Sequence, residues 1–117
     1  RRLGFVPADD LAALYAGAAA CCYPSLREGF GLPVLEAMAN GAPVVTSTGT
    51  ATEEVAGPDA LLVDPLDHGA VAEALTRLLD DPDLADDLRR RGRARAAGYT
   101  WARTAELTAA AYAEVAP

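Results

Sequence analysis

The sequence has no lysine, one histidine and only two cysteines in 117 residues. The cysteines, Cys21 and Cys22, are adjacent, which is poor geometry for bridging each other and does not give the spaced ligands of a metal site. They lie in the apolar run "AAACCYP". We therefore expect two buried free thiols, and neither a disulfide framework nor a metal centre.

Long apolar runs are also missing. None approaches the eighteen or so residues that a membrane span needs, and the opening "RRLGFVPADD" lacks the apolar stretch of a signal peptide. We expect a soluble, cytoplasmic protein. The net charge of −7 argues against a nucleic-acid partner or an anionic membrane.

The length allows one domain at most. The first residue is not methionine, and the chain opens inside an apparent strand, "LGFVP". We therefore expect residues 1–117 to be part of a longer polypeptide.

Strand and helix patterns alternate in the first half of the chain. "LGFVP" indicates a strand, and "ADDLAALYAGA" a helix with apolar Leu11, Leu14 and Tyr15 at helical spacing. "AACCYP" indicates a buried strand, "GLPVLEAMAN" a helix that Asn40 and Gly41 end, and "APVVTS" another strand. This alternation predicts an α/β fold with a parallel sheet.

The second half ends in helices. A helical turn is expected at 52–56, and "ALLVDP" indicates the last strand. Asp67 can cap a helix with one buried stripe, and Asp81 with Pro82 begins the next, which reaches about Gly98. A final helix starts at Thr100. The stripe of the first of these helices comprises Val71, Leu75, Leu78 and Leu79, and that of the last comprises Trp101, Ala105, Thr108, Tyr112 and Val115.

The stretch "EGFG" lies where a strand passes to a helix, which is where parallel α/β sheets bind ligands. Gly29 and Gly31 allow unusual backbone dihedrals and close approach of a ligand, while the new helix presents unpaired N–H groups. Pro33 fits an early helical position. This arrangement favours a phosphate or sugar hydroxyls.

Two carboxylates flank this turn, Glu28 before the helix and Glu36 within it. Eight positions apart, they face different parts of one bound molecule. A carboxylate accepts two hydrogen bonds from a vicinal diol, so one acid suits a sugar ring and the other a ribose. The pattern favours a nucleotide sugar as the ligand.

Other interpretations compete with this one. Glutamate near a helix N-terminus can simply complement the helix dipole. Gly29, Phe30 and Gly31 supply the first half of a dinucleotide fingerprint, but Val34 stands where its third glycine belongs, and no acid follows about twenty residues later. Hydrolysis by the two carboxylates explains the glycines less well than diol binding does.

The stretch "PSLREGFGLPVLEAMANGAPVV" resembles the glutamate-x7-glutamate signature of retaining nucleotide-sugar glycosyltransferases, family 4 (glycosyl transferases group 1), of the GT-B fold. "TGTATEEVAGPDALLVDPLD" resembles the segment that follows in that family, and "YTWARTAELTAAAY" its terminal aromatic helix. The resemblance covers almost the whole chain. It implies a partial Rossmann-like sheet followed by helices, namely the later part of the C-terminal, nucleotide-sugar-binding domain over residues 1–117.

The resemblance also implies residue roles. Glu28 would be the catalytic-site acid that contacts hydroxyls of the transferred sugar, and Glu36 would hold the ribose diol. Ser25 and Arg27 line the same loop as lesser candidates, Ser25 for donor binding. Glu54 matches a family position near the site, with Glu53 beside it as a rival. The backbone amides expected to reach sugar and diphosphate oxygens are those of Gly29, Phe30, Gly31 and Leu32.

The implied reaction is transfer of a hexosyl unit from a UDP-, GDP- or ADP-sugar to an acceptor hydroxyl with retention at the anomeric carbon. Such enzymes stabilise the leaving diphosphate with protein cations and helix dipoles, so no cofactor or metal is expected. The sugar, lipid or small-molecule acceptor would bind an N-terminal domain outside this chain. The arginine and the lysine that grip the diphosphate in this family would lie upstream of the part present here. Peripheral membrane association of the full-length enzyme stays open.

Two alternatives stay open at this point: a non-catalytic nucleotide-sugar-binding or interaction module, and a GT-B relative such as a nucleotide-sugar epimerase or a phosphorylase. Outside the motif, His68 is interpreted as solvated or capping, and Met38 and Trp101 as core residues. The arginines at 89–95 are interpreted as a charged face near a helix C-terminus, rather than a site for an anionic lipid.

Overall fold

A parallel sheet of three short strands organises the computed structural model, which describes residues 1–115. The strands are β1 (Cys21–Tyr23), β2 (Val44–Ser47) and β3 (Leu61–Val63), in that spatial order. The described residues form six α-helices, and a short 3-10 turn, Gly57–Asp59, leads into β3. The helices are α1 (Ala8–Gly17), α2 (Leu32–Ala39), α3 (Ala51–Ala56), α4 (His68–Asp80), α5 (Pro82–Ala96) and α6 (Trp101–Val115).

The central strand β2 is buried on both faces because helices cover the sheet on each side. Val44 packs into one cluster with Met38 of α2 and Val55 of α3. Its neighbour Val45 packs into a second cluster with Leu78 of α4. Successive side chains of a strand point to opposite faces, so two adjacent valines serve two cores.

Helix boundaries follow local capping chemistry. The carboxylate of Asp67 accepts a hydrogen bond from the Ala70 amide at 2.9 Å, and that of Asp81 accepts one from the Leu84 amide at 2.9 Å. These side chains satisfy amides that the first helical turn leaves without intrahelical partners. The predicted starts of α4 and α5 are thereby confirmed, as is the alternation of strands and helices from Cys21 onward.

The predicted strand at Leu3–Pro7 is wrong. Residues 1–7 carry neither strand nor helix, and Phe5 is 94% exposed. Gly4 has φ +70°, which interrupts an extended backbone. A strand also needs a neighbour for its N–H and C=O groups, and among the described residues none lies beside this segment.

Two burial predictions need correction. Cys21 is partly buried, but Cys22 is exposed, because β1 is an edge strand and successive residues alternate in direction. Leu79 is 63% exposed, because it lies about 100° around α4 from the buried Leu78. Burial raises the pKa of the Cys21 thiol to about 11, with a contribution from the neighbouring cysteine.

The final helix is confirmed as a helix, but its predicted apolar stripe is not buried. Every residue from Trp101 to Val115 is exposed, and Trp101 is 86% exposed. The prediction that Met38 and Trp101 are both core residues therefore holds only for Met38, which is 1% exposed.

Candidate functional site

The candidate site lies at the edge of the sheet where β1 and β2 end. Residues 24–31 join β1 to α2, and Gly31 immediately precedes that helix with φ +99°. A Cβ on Gly31 would come within 2.9 Å of Cγ2 of the buried Thr52. Both the left-handed backbone and the space require glycine here. The prediction of an unusual dihedral is wrong for Gly29, whose φ is not in that region.

Glu28 lies just before the glycines and is partly buried. Its Oε1 accepts one hydrogen bond from the Tyr23 hydroxyl at 2.5 Å and another from Oγ of Ser25 at 2.9 Å. These bonds, the Tyr23 bond first, hold the pKa of Glu28 below its ordinary value, against a weaker opposing effect of burial. The carboxylate is therefore a charged hydrogen-bond acceptor at neutral pH.

Two buried hydroxyls tie this loop to the end of β2. Oγ1 of Thr46 donates to the Tyr23 carbonyl at 2.8 Å, and Oγ of Ser47 donates to the Ser25 carbonyl at 2.6 Å. Both side chains are fully buried. The parallel register pairs Tyr23 with Thr46, so the two strand ends lie side by side.

The turn presents backbone donors. In the part of the chain that the structure describes, the amides of Gly29, Phe30, Gly31 and Leu32 donate no hydrogen bond to the protein. The Val34 amide bonds to the Gly31 carbonyl at 3.0 Å, so the first hydrogen-bonded amide of α2 comes after these four. The first amides of a helix carry partial positive charge, which suits anionic or hydroxyl oxygens.

Glu36 lies one helical turn further along α2 and is exposed. The phenol of Tyr15 on α1 is close to it: burial chiefly raises the pKa of Tyr15, and the charges of Cys21 and Glu36 add to the effect. Glu28 thus precedes α2, whereas Glu36 lies within it, and their contacts with two parts of one ligand stay a prediction.

The loop after β2 distinguishes Glu53 from Glu54. Oε2 of Glu53 accepts hydrogen bonds from the Gly49 amide at 2.5 Å and from the Thr48 hydroxyl at 2.9 Å. These bonds, the backbone one first, lower the pKa of Glu53. Glu53 therefore shapes its own loop, whereas Glu54 is exposed.

An aromatic pair borders the turn. The rings of Phe30 and Tyr99 meet edge to face with centroids 6.0 Å apart. Phe30 is 43% exposed, and the side chain of Leu32 beside it is exposed too. An apolar cleft runs from these residues to Trp101 at the start of α6.

Sequence reasoning missed the hydroxyl residues that organise the site. Tyr23, Thr46 and Ser47 all contact the Glu28 loop, and Thr52 packs against Gly31. A signal was present in "CCYPS" and "VVTST", because hydroxyl residues at the carboxyl ends of neighbouring parallel strands meet at one sheet edge. Arg27 is exposed, and no ion pair involves it among residues 1–115.

Residues 1–115 contain no group of three or more His, Cys, Asp or Glu side chains placed to hold a metal ion. Over the same range, no helix combines the length and the apolar character needed to cross a bilayer.

Comparison with known proteins identifies the family. Residues 1–95 match the family "Glycosyl transferases group 1". The chain belongs to this family. Its curated relatives include O-antigen chain mannosyltransferase B of Escherichia coli, 43% identical over 112 residues, and the MMP alpha-(1->4)-mannosyltransferase of Mycolicibacterium hassiacum, 46% identical over 108 residues. These alignments cover 96% and 89% of this chain, but only 29% and 26% of the relatives' lengths.

A solved structure in the same comparison is sucrose-phosphate synthase from Thermosynechococcus elongatus. It superposes with a TM-score of 0.85 at 35% sequence identity. The match covers 97% of this chain and 29% of the synthase chain. The predicted fold class, a partial Rossmann-like parallel sheet of the GT-B type followed by helices, is thereby confirmed. The expected family membership is confirmed as well.

Proposed function

We propose that this chain supplies the nucleotide-sugar-binding site of a retaining hexosyltransferase. The observation that carries the proposal is the arrangement at residues 28–32: a charged, anchored Glu28 carboxylate precedes four backbone amides that make no hydrogen bond within the described residues. A nucleotide sugar needs both hydrogen-bond acceptors for its hydroxyls and hydrogen-bond donors for its phosphate oxygens. Membership of a glycosyltransferase family supports the same conclusion.

Each site residue has a role in this proposal. Glu28 contacts hydroxyls of the transferred sugar, the amides of Gly29, Phe30, Gly31 and Leu32 contact sugar and diphosphate oxygens, and Glu36 holds the ribose diol. Negative charge develops on the leaving diphosphate in the transition state. The N-terminus of α2 stabilises that charge through its dipole and its amides.

The acceptor is proposed to bind outside these 117 residues, because the chain spans less than a third of the relatives to which it is similar. Both relatives are mannosyltransferases by name. A nucleotide-linked mannose is therefore the first donor to test.

Isothermal titration calorimetry with GDP-mannose, UDP-glucose and ADP-glucose tests the proposal on this chain. We expect one nucleotide series to bind. Glu36→Ala should weaken that binding by roughly 1.5–3 kcal/mol for each charge-assisted hydrogen bond lost from the ribose. Glu73→Ala, which removes another exposed helical glutamate, is the matched control and should bind like wild type.

No heat from any of the three nucleotide sugars, with a chain shown by circular dichroism to be folded, would contradict a binding site that residues 1–117 form on their own. Binding that Glu36→Ala leaves unchanged would contradict the ribose role alone. Binding without transfer to any acceptor by the longer polypeptide would instead indicate a non-catalytic binding module.

A further inference from the structure

The two hydrogen bonds of Glu28 converge on one oxygen. Tyr23 and Ser25 both donate to Oε1, and no donor among residues 1–115 bonds to Oε2. A carboxylate oxygen offers about two lone-pair sites. Oε1 is therefore filled by the protein, and only Oε2 is left to accept from a ligand.

Both hydrogen-bond donors are fixed in place by the core. Tyr23 is the last residue of β1, and its carbonyl is held by Thr46. The Ser25 carbonyl is held by Ser47. Since Thr46 and Ser47 are fully buried on the central strand, the loop cannot move without breaking buried hydrogen bonds.

We propose that Tyr23 and Ser25 are positioning residues that hold Oε1 of Glu28, so that Glu28 binds the sugar through Oε2 alone. This inference rests on the proposed function and narrows it. Glu28 does not clasp a vicinal diol with two oxygens; it accepts hydroxyl hydrogens on one side only. Only Glu36 is proposed to bind a diol, that of the ribose, through both carboxylate oxygens.

Protonation of Glu28 provides an independent readout. Hydrogen bonds donated to a carboxylate favour its charged form, so their loss raises its pKa. Tyr23 and Ser25 are the groups that lower the pKa of Glu28, while the charged sequence neighbour Arg27 is exposed and is not among the causes. The same bond raises the pKa of the Tyr23 phenol.

The first experiment follows the side-chain carboxyl signal of Glu28 by NMR as pH is lowered. In Tyr23→Phe, and less strongly in Ser25→Ala, its pKa should rise toward the ordinary glutamate value. Tyr112→Phe makes the same chemical change at an exposed position on α6 and should leave the pKa of Glu28 as in wild type. An unshifted pKa in a folded Tyr23→Phe variant would overturn the proposal.

The second experiment separates positioning from general destabilisation. Affinity for the nucleotide sugar that binds wild type should fall by roughly tenfold in Tyr23→Phe, the effect of one misplaced hydrogen bond to a charged group. Affinity for the matching nucleoside diphosphate, which lacks the sugar, should be unchanged. An equal loss for both ligands would indicate a structural role and overturn the proposal.

The affinity for the nucleotide sugar should depend on pH in one direction. Glu28 accepts hydrogen bonds from sugar hydroxyls more strongly when it is ionised, so the sugar-dependent part of the affinity weakens as pH falls through its pKa. In Tyr23→Phe that loss should begin at higher pH than in wild type. A shifted pKa without nucleotide-sugar binding by wild type would overturn the proposed function, whereas normal binding with an unshifted pKa would overturn only the positioning role.

Discussion

Helices α5 and α6 are each fifteen residues long, but they relate differently to the rest of the molecule. The highly charged α5, "PDLADDLRRRGRARA", buries one side against the core. The more apolar α6, "WARTAELTAAAYAEV", buries nothing. Apolar content alone therefore does not determine which helix is packed.

What anchors α5 is a combination of small apolar contacts and long arginine side chains. Ala85, Leu88, Gly92 and Ala96 recur at helical spacing and are buried, and Gly92 lets the helix approach Met38 of α2. Arginine stems then cross the protein surface while their guanidinium groups reach distant backbone carbonyls. By contrast, the hydrogen bonds of α6 side chains stay within the helix or its first turn.

Two of the arginines at 89–95 act as helix C-caps for other elements. Arg89 donates to the carbonyls of Gly41 and Ala18 at 2.9 and 3.1 Å, after the ends of α2 and α1. Arg95 donates to the carbonyls of Val55 and Glu54 at the end of α3. The sequence interpretation of these residues as a charged face near a helix C-terminus is thus incomplete, because two of them also bond carbonyls at the ends of other helices.

The largest expected difference between the two helices is in the stability that is lost when a leucine is truncated to alanine. Leu88→Ala in α5 should lower the free energy of unfolding by about 2–5 kcal/mol, since it leaves a cavity in the core. Leu107→Ala in α6 should change it by less than about 0.5 kcal/mol, since that side chain is 54% exposed. Urea unfolding measures both, and equal effects would show that α6 is packed in solution.

A smaller difference is expected for arginine removal. Arg89→Ala should cost about 1–3 kcal/mol, because it leaves the Gly41 and Ala18 carbonyls without this donor. Arg103→Ala on α6 should cost about 0–1 kcal/mol, since it breaks only an exposed pair with Glu106. Thermal unfolding of the two variants compares them, and Arg89→Lys should not restore stability, because one ammonium lacks the guanidinium fork. Full rescue by lysine would contradict the capping role.

The smallest expected difference between the two helices is in how their carboxylates affect stability at low pH. Hydrogen bonds from Arg91 chiefly, and from Arg90, lower the pKa of Asp87 on α5. A depressed carboxyl pKa stabilises the fold above the unfolded-state pKa, and this contribution is lost as pH falls through the folded-state pKa. Asp87→Asn should therefore flatten the loss of stability as pH falls below about 4, the ordinary aspartate pKa. Urea midpoints across that range measure it, with Glu106→Gln as control, and parallel curves for wild type and Asp87→Asn would contradict the coupling.

Much of the fold was predictable from local patterns. Asp67, Asp81 and Pro82 marked helix starts because capping depends on a few neighbouring residues. The strands at Cys21 and Val44 were predictable because apolar runs bounded by turn residues are typical of buried strands. The strand prediction at Leu3–Pro7 was wrong because a strand needs a neighbouring strand for its hydrogen bonds. The sequence of the segment does not show whether such a neighbour is present.

The candidate site was predictable in part. "EGFG" between a strand and a helix indicated Glu28 and the glycines, and the structure gives Gly31 the left-handed backbone expected of a turn glycine. The supporting residues Thr46, Ser47 and Thr52 were not predicted, because each acts through a contact with a segment distant in sequence. Tyr23 was not predicted either, although Glu28 lies only five residues further on.

The sequence by itself determined the helices, their caps, the alternation that gives a parallel sheet and the motif that carries the proposed site. Those features depend on residues a few positions apart, whose interactions are the same in any fold. Only the tertiary structure decided that Cys22 and Trp101 are exposed, that Arg89 caps two helices and that Ser47 holds the Ser25 carbonyl of the site loop. These outcomes depend on which segments meet across the sheet, since burial and buried hydrogen bonds depend on neighbours distant in sequence.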